Sequence, residues 1–118
     1  MQVELDIFSG RRNPSWDLHP GQADEFLRLL RQLPATETVE PIPDGLGYRG
    51  MIVRPSRDEK RDLDEIVVCR GRVTIRRGDE IHQLIDEDDS LERWLIGTGR
   101  ETLGEDFFRE VLNLIPRI

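Results

Sequence analysis

Apolar and polar residues alternate from the start of the chain. Val3, Leu5 and Ile7 alternate with Glu4 and Asp6, which predicts a strand over Val3 to Phe8 with one face buried. Ser9-Gly10 stops it. The segment Arg11-Arg12-Asn13-Pro14-Ser15-Trp16 then reads as turn-rich, because the residue before a proline is steered away from helix. Beyond it the period changes. Phe26, Leu27, Leu30 and Leu33 fall on one stripe at helical spacing, and Pro20 suits a first helical position. A helix is therefore predicted over Pro20 to Leu33, with Asp24 and Glu25 toward its positive end. Pro34 ends it, and Pro34, Pro41, Pro43 and Gly45 mark an irregular loop over residues 34–45.

The middle of the chain reads as β. Leu46 to Arg54 forms a strand with Gly47 and Gly50 inside it, followed by a charged connection from Arg57 to Asp64. Glu65 to Cys69 and Arg72 to Arg76 flank Arg70-Gly71, a two-residue hairpin turn. Arg77-Gly78-Asp79 is a second turn, and Glu80 to Ile85 a further short strand. Two helices close the chain. Asp89-Ser90-Leu91-Glu92 has the form of a capping box before the apolar face of Leu91, Trp94 and Leu95, and Gly97 and Gly99 end that helix. Thr102-Leu103-Gly104-Glu105 has the same form, before a stripe of Phe107, Phe108, Val111, Leu112 and Ile115 that Pro116 stops. The order is β-α-β-β-β-(β)-α-α. It predicts an α+β fold in a single domain over residues 1–118. The sheet has four to five mainly antiparallel strands, and about three helices pack on one face.

The length of 118 residues fits one such domain. The formal net charge is −7, which argues against general nucleic-acid binding, where a positive face must neutralise phosphates. The average hides an uneven distribution. From Gly47 to Arg77 there are nine basic residues against five acidic ones, while Asp79 to Glu92 holds seven acidic and no basic residues. No apolar run approaches the roughly 20 residues of a membrane span. The N-terminus is acidic where a secretion signal would be basic, and the one cysteine, Cys69, forms no internal disulfide. The expectation is a cytoplasmic protein with no membrane association and no cofactor.

The segment Ser9 to Trp16 is the most unusual in composition. It places the guanidiniums of Arg11 and Arg12, the Asn13 amide and two hydroxyls close to the end of a strand, where an arginine fork could hold a carboxylate or phosphate. Turn chemistry alone also accounts for Gly10, Asn13, Pro14 and Ser15, with Trp16 plugging the core. Gly47-Tyr48-Arg49-Gly50 is a second candidate: glycines on both sides of a Tyr-Arg pair suggest a bulge or a close backbone approach. Asp86, Glu87, Asp88 and Asp89 read as a solvated turn at a helix N-terminus. The run lacks the glycine and glutamate of a calcium loop. A metal site from His82 with Asp86 and Glu87 is a further reading. His19, before Pro20, looks like a helix cap, and Cys69 a buried small hydrophobe. No nucleophile elbow, P-loop, dinucleotide fingerprint or zinc-protease motif is present.

The run Leu5-Asp6-Ile7-Phe8-Ser9-Gly10-Arg11-Arg12-Asn13-Pro14-Ser15-Trp16, with Leu46 to Gly50 and Glu92-Arg93-Trp94-Leu95, resembles small bacterial proteins with an LDIFSGRxNPxW-type N-terminus. The resemblance spans most of the chain. It implies that the two loop motifs belong together, and it brings no activity, cofactor or catalytic residue.

These observations favour a non-enzymatic binding or protein-interaction module. Its surface would comprise Ser9, Arg11, Arg12, Asn13, Trp16, Tyr48 and Arg49, and its partner would be an anionic group on a peptide or small molecule. The alternatives are a small metal-dependent enzyme using His82 and nearby carboxylates, or a structural homo-oligomer joined through a strand edge.

Overall fold

The alternation read from the chain becomes a sheet because the apolar positions of successive strands stand directly opposite one another. The structure, a computed structural model, describes residues 1–41, 45–56 and 63–115. Among these the strands are β1 (Gln2–Leu5), β2 (Ser15–Asp17), β3 (Ala35–Thr36), β4 (Met51–Arg54), β5 (Glu65–Cys69), β6 (Arg72–Arg77) and β7 (Glu80–Ile85). They form one antiparallel sheet in the order β2-β1-β4-β5-β6-β7-β3. The helices are α1 (Pro20–Arg31), α2 (Ser90–Gly97), α3 (Arg100–Leu103) and α4 (Glu105–Leu114), with a 3-10 turn at Glu87–Asp89. This is a single α+β domain. The described residues give the sheet seven strands rather than four or five. The additional two, β2 and β3, are edge strands of three and two residues, too short for alternation to register.

Two cross-strand rows build the buried face. Leu5, Met51, Val68, Val73 and Leu84 stand opposite one another in turn, and so do Trp16, Val3, Val53, Ile66 and Ile75. Residues from three helices close over them: Ala23, Phe26 and Leu30 of α1, Leu91, Leu95 and Ile96 of α2, and Phe108 and Val111 of α4. The opposite face carries an ionic ladder. Arg54 bridges Glu4 (2.9 Å) and Glu65 (3.5 Å), and Arg76 bridges Glu65 and Asp64 (3.3 Å each). Among the described basic residues of the middle, Arg49, Arg54, Arg72 and Arg76 are each paired with a carboxylate.

The hairpin at Arg70-Gly71 forms with φ of +48° and +83°, the left-handed pair that lets two residues turn between twisted strands. The strand expected over Leu46 to Arg54 begins only at Met51, because Gly50, at φ +99°, runs against β5. A Cβ at Gly50 would lie 2.6 Å from the Val68 carbonyl oxygen. The first strand ends at Leu5 rather than Phe8, since the Ile7 and Phe8 amides turn to the Asn13 side chain instead of a neighbouring strand.

His19 does cap α1. Its Nδ1 accepts from the Gln22 amide (3.4 Å), and Gln22 Oε1 accepts from the His19 amide (3.2 Å). Neither expected capping box forms. Asp89 holds the cap position of α2 but makes no capping bond, and Asp86 accepts from the Leu91 and Glu92 amides instead (2.9 and 3.0 Å). Thr102 belongs to α3, Gly104 holds the cap position of α4, and Glu105 pairs with Arg100 and Arg109. The connection expected from Arg57 lies outside the described residues up to Asp62, as do Pro43 and Pro116.

Candidate functional site

The β1–β2 loop and the segment before β4 meet, and side chains rather than regular structure hold them together. Asn13 is the centre of the loop. Its Oδ1 accepts from the amides of Ile7 (3.1 Å) and Phe8 (2.8 Å), and its Nδ2 donates to Glu4 Oε2 (2.9 Å) and Asp6 Oδ1 (3.3 Å). Those bonds fold the chain back on itself, so Ser9, Arg11 and Arg12 are exposed at the tip. The hydrogen bonds from Asn13 and Arg54 hold the Glu4 carboxyl below its usual range.

Arg49 ties the second segment to this loop. It donates to Asp6 Oδ1 from Nε (3.2 Å) and Nη2 (2.8 Å), to the Phe8 carbonyl (2.9 Å) and to the Gly45 carbonyl (2.8 Å). Its fork is therefore engaged within the protein. The Arg11 guanidinium lies 3.7 Å from the centre of the Phe8 ring, and Phe8 stacks on Phe107 of α4 at 5.8 Å. Among the described residues neither Arg11 nor Arg12 has an ion-pair partner. The loop thus presents two unpaired guanidiniums, one of them on an aromatic shelf.

The two aromatic candidates lie elsewhere. Trp16 is buried; its Nε1 donates to Thr98 Oγ1 (2.8 Å), and its ring fills the space that a side chain at Gly99 would occupy, 2.5 Å from a Cβ there. Tyr48 is buried and turned away from Arg49, and its hydroxyl donates to Glu92 Oε2. Of the seven candidates, the fold places Ser9, Arg11, Arg12, Asn13 and Arg49 in one region and directs Trp16 and Tyr48 into the interior.

Tyr48 leads to a cluster that sequence reasoning missed. Asp86, Asp89 and Glu92 are 1%, 3% and 0% exposed, so of the acidic run only Glu87 and Asp88 are solvated as expected, and Asp86 and Asp89 turn inward. Two successive left-handed residues, Asp88 and Asp89 (φ +61° and +55°), bend the chain there. Glu92 Oε1 accepts from the Arg70 amide (2.8 Å). Burial pushes the Glu92 carboxyl up to about 7 against the pull of its Tyr48 and Arg70 hydrogen bonds. Burial also raises Asp86 and Asp89, and pushes the Cys69 thiol up to about 11, with the Glu92 charge adding to that. The signal was in the helix phase: Leu91, Leu95 and Ile96 put position 92 on the buried side, whereas the capping-box pattern drew attention to its role as a cap.

His82 faces solvent at the sheet edge, 3.6 Å from Glu80, while Asp86 points into the protein to cap α2. Among the described residues no group of three histidine, cysteine or acidic side chains is placed to hold a metal ion. No helix among them is long and apolar enough to cross a membrane. Comparison with protein-family models, with curated proteins and with solved structures found no match.

Proposed function

We propose that this protein is a non-enzymatic binding module that recognises an anionic group on a peptide or small molecule through the tip of the β1–β2 loop. Ser9, Arg11 and Arg12 make the contact. Asn13 and Arg49 position the loop, Trp16 anchors its β2 end in the core, and Tyr48 anchors the segment that carries Arg49. The observation that carries the reading is a pair of exposed guanidiniums without carboxylate partners, on a loop held by seven hydrogen bonds of the Asn13 and Arg49 side chains. A pre-shaped loop orders little on binding, so a charge-assisted contact retains more of its strength.

The test is charge reversal at Arg11 and Arg12 together, measured by titration calorimetry against a panel of phosphorylated and carboxylate-terminated peptides. A panel member that binds should lose at least an order of magnitude in affinity. The thermal midpoint should stay within about 2 °C, as expected for exposed substitutions. Unchanged affinity, or no binding anywhere in the panel, refutes the reading. Arg49 is a poor choice for this test, because reversing its charge breaks the loop's own attachment to Asp6 and Phe8.

A further inference from the structure

Gln83 of β7 and Thr74 of β6 alternate with the core residues Leu84 and Val73, so their side chains point to the face of the sheet away from the helices. Past β3 the chain crosses that face, and Gln83 holds one residue of the crossing segment by its main chain. Gln83 Oε1 accepts from the Glu40 amide (2.8 Å), and Nε2 donates to the Glu40 carbonyl (2.7 Å) and to Thr74 Oγ1 (3.0 Å). Arg72 donates from Nη1 to the Thr38 carbonyl (2.9 Å) and from Nη2 to the Glu40 carboxylate (3.0 Å). Its Nη1 also donates to Gln83 Oε1 (3.2 Å), which fixes the two side chains against each other. Three of the four contacts to the segment go to main-chain atoms, so most of this hold asks for an extended backbone rather than for one sequence. The segment also leaves space around it. A cavity of about 190 Å3 opens beside it against Val67, Cys69 and Arg70, and another of about 350 Å3 against Ile81. Val39 and Ile81 stay 53% and 50% exposed. The Glu40 side chain is 58% exposed, where an ion pair adds little.

We propose that this face of β6 and β7 is a binding groove for an extended peptide in which a large apolar residue precedes a glutamate and a proline, and that Thr38 to Pro41 is a placeholder that such a peptide displaces. Gln83 takes the amide and carbonyl of the peptide's glutamate, as a neighbouring strand would, and Arg72 takes its carboxylate. The apolar residue enters the larger cavity beside Ile81, where Val39 leaves room, and buries surface that the placeholder leaves in water. The Gln83 amide is buried, and leaving it unpaired is costly, so the free chain keeps a segment of its own there. Tethering makes that segment a competitor at an effective concentration on the order of millimolar, so a peptide needs the extra apolar contact to displace it. The groove shares no residue with the β1–β2 loop and stands whether or not the loop tip binds an anion.

The probe is the peptide acetyl-Thr-Phe-Glu-Pro-amide, titrated into the 15N-labelled full chain while the side-chain amide signals of Gln83 are followed. Those signals should shift to saturation. Acetyl-Thr-Val-Glu-Pro-amide, which repeats the placeholder, should bind several-fold more weakly. The phenylalanine peptide N-methylated at its glutamate cannot donate to Gln83 and should bind about tenfold more weakly or worse. These peptides are all read on the wild-type chain, so the outcome does not depend on a variant folding. Glu40→Ala removes the placeholder's carboxylate and neither Gln83 nor Arg72, and should tighten binding of the phenylalanine peptide several-fold. Gln83 signals that stay still at millimolar peptide overturn the proposal. So does an N-methylated or valine peptide that binds as well as the phenylalanine one, or a Glu40→Ala chain that binds no tighter. A Glu40→Ala chain that dimerises by light scattering, and stops doing so when Gln83→Ala is added, assigns the groove to a second copy and overturns the peptide reading.

Discussion

Gly50→Ala isolates a close backbone approach between the start of β4 and β5. Gly50 has a φ of +99°, and an alanine methyl there would lie 2.6 Å from the Val68 carbonyl oxygen and 2.7 Å from Cys69 Cβ. Holding a side-chain-bearing residue in that conformation costs about 1–3 kcal/mol. The overlap adds about 1–3 kcal/mol more, because Val68 pairs with strands on both sides and cannot withdraw freely. The sum is about 4 kcal/mol, a large share of the roughly 5–15 kcal/mol that holds a domain of this kind together. At an unfolding entropy of about 2.1 cal/mol/K per residue, each kcal/mol lowers the thermal midpoint of a chain this long by about 4 °C. Gly50→Ala should therefore melt about 15 °C below the wild type. Gly47→Ala is the matched control. Gly47 also has a positive φ, +85°, but its added methyl would meet no heavy atom within 4 Å. It should lose only the conformational part, about 1–2 kcal/mol. Calorimetric melting of the two variants side by side separates strain from overlap. If Gly50→Ala melts no lower than Gly47→Ala, the close approach to β5 is not what demands glycine, and the argument fails.

Glu92→Gln should change how stability depends on pH. The folded carboxyl ionises near 7 against 4.5 for the ordinary group, so its contribution is complete below about pH 4.5 and is lost as pH rises through 7. Urea unfolding at pH 5 and pH 8 should show the wild type losing about 2–3 kcal/mol relative to the variant; parallel curves would refute it. Asn13→Ala removes the acceptor for the Ile7 and Phe8 amides and should cost about 1–3 kcal/mol by urea denaturation. Asn13→Asp should also destabilise the fold, because it sets a third carboxylate beside Glu4 and Asp6; a neutral outcome in both would remove Asn13 as the organiser of the loop. Trp16→Phe keeps most of the ring but loses the bond to Thr98, and should cost about 1 kcal/mol in the same assay.

Much of the fold was legible in local pattern. The hairpin at Arg70-Gly71, the strands on either side of it, the His19 cap and the apolar stripes of α1 and α4 depend on neighbours a few residues away, and periodicity and turn chemistry report such neighbours directly. The edge strands β2 and β3 were not legible. They exist because β1 and β7 offer unpaired backbone groups to chain that happens to pass by.

For the candidate site the division is sharper. The composition of Ser9 to Arg12 and its position after a strand marked it from sequence, and the fold does present it to solvent. Charge and residue type, however, do not say which polar groups are already matched. Arg49 and Arg11 look alike in sequence, yet one binds Asp6, Phe8 and Gly45 while the other rests unpaired on Phe8. Tyr48 and Arg49 are adjacent, yet one faces Glu92 in the core and the other the loop. The same limit hid the buried acids. Asp86, Asp89 and Glu92 follow the pattern of a solvated, capped helix start, and they become a dry carboxyl cluster only because the β5–β6 turn and the Tyr48 segment close over them. Sequence alone determined the helices, the central strands and the exposed arginine loop, all set by contacts within a few residues. Tertiary structure decided which charges are paired and which are buried, because partners 22 and 44 residues from Glu92 supply its hydrogen bonds and exclude its water.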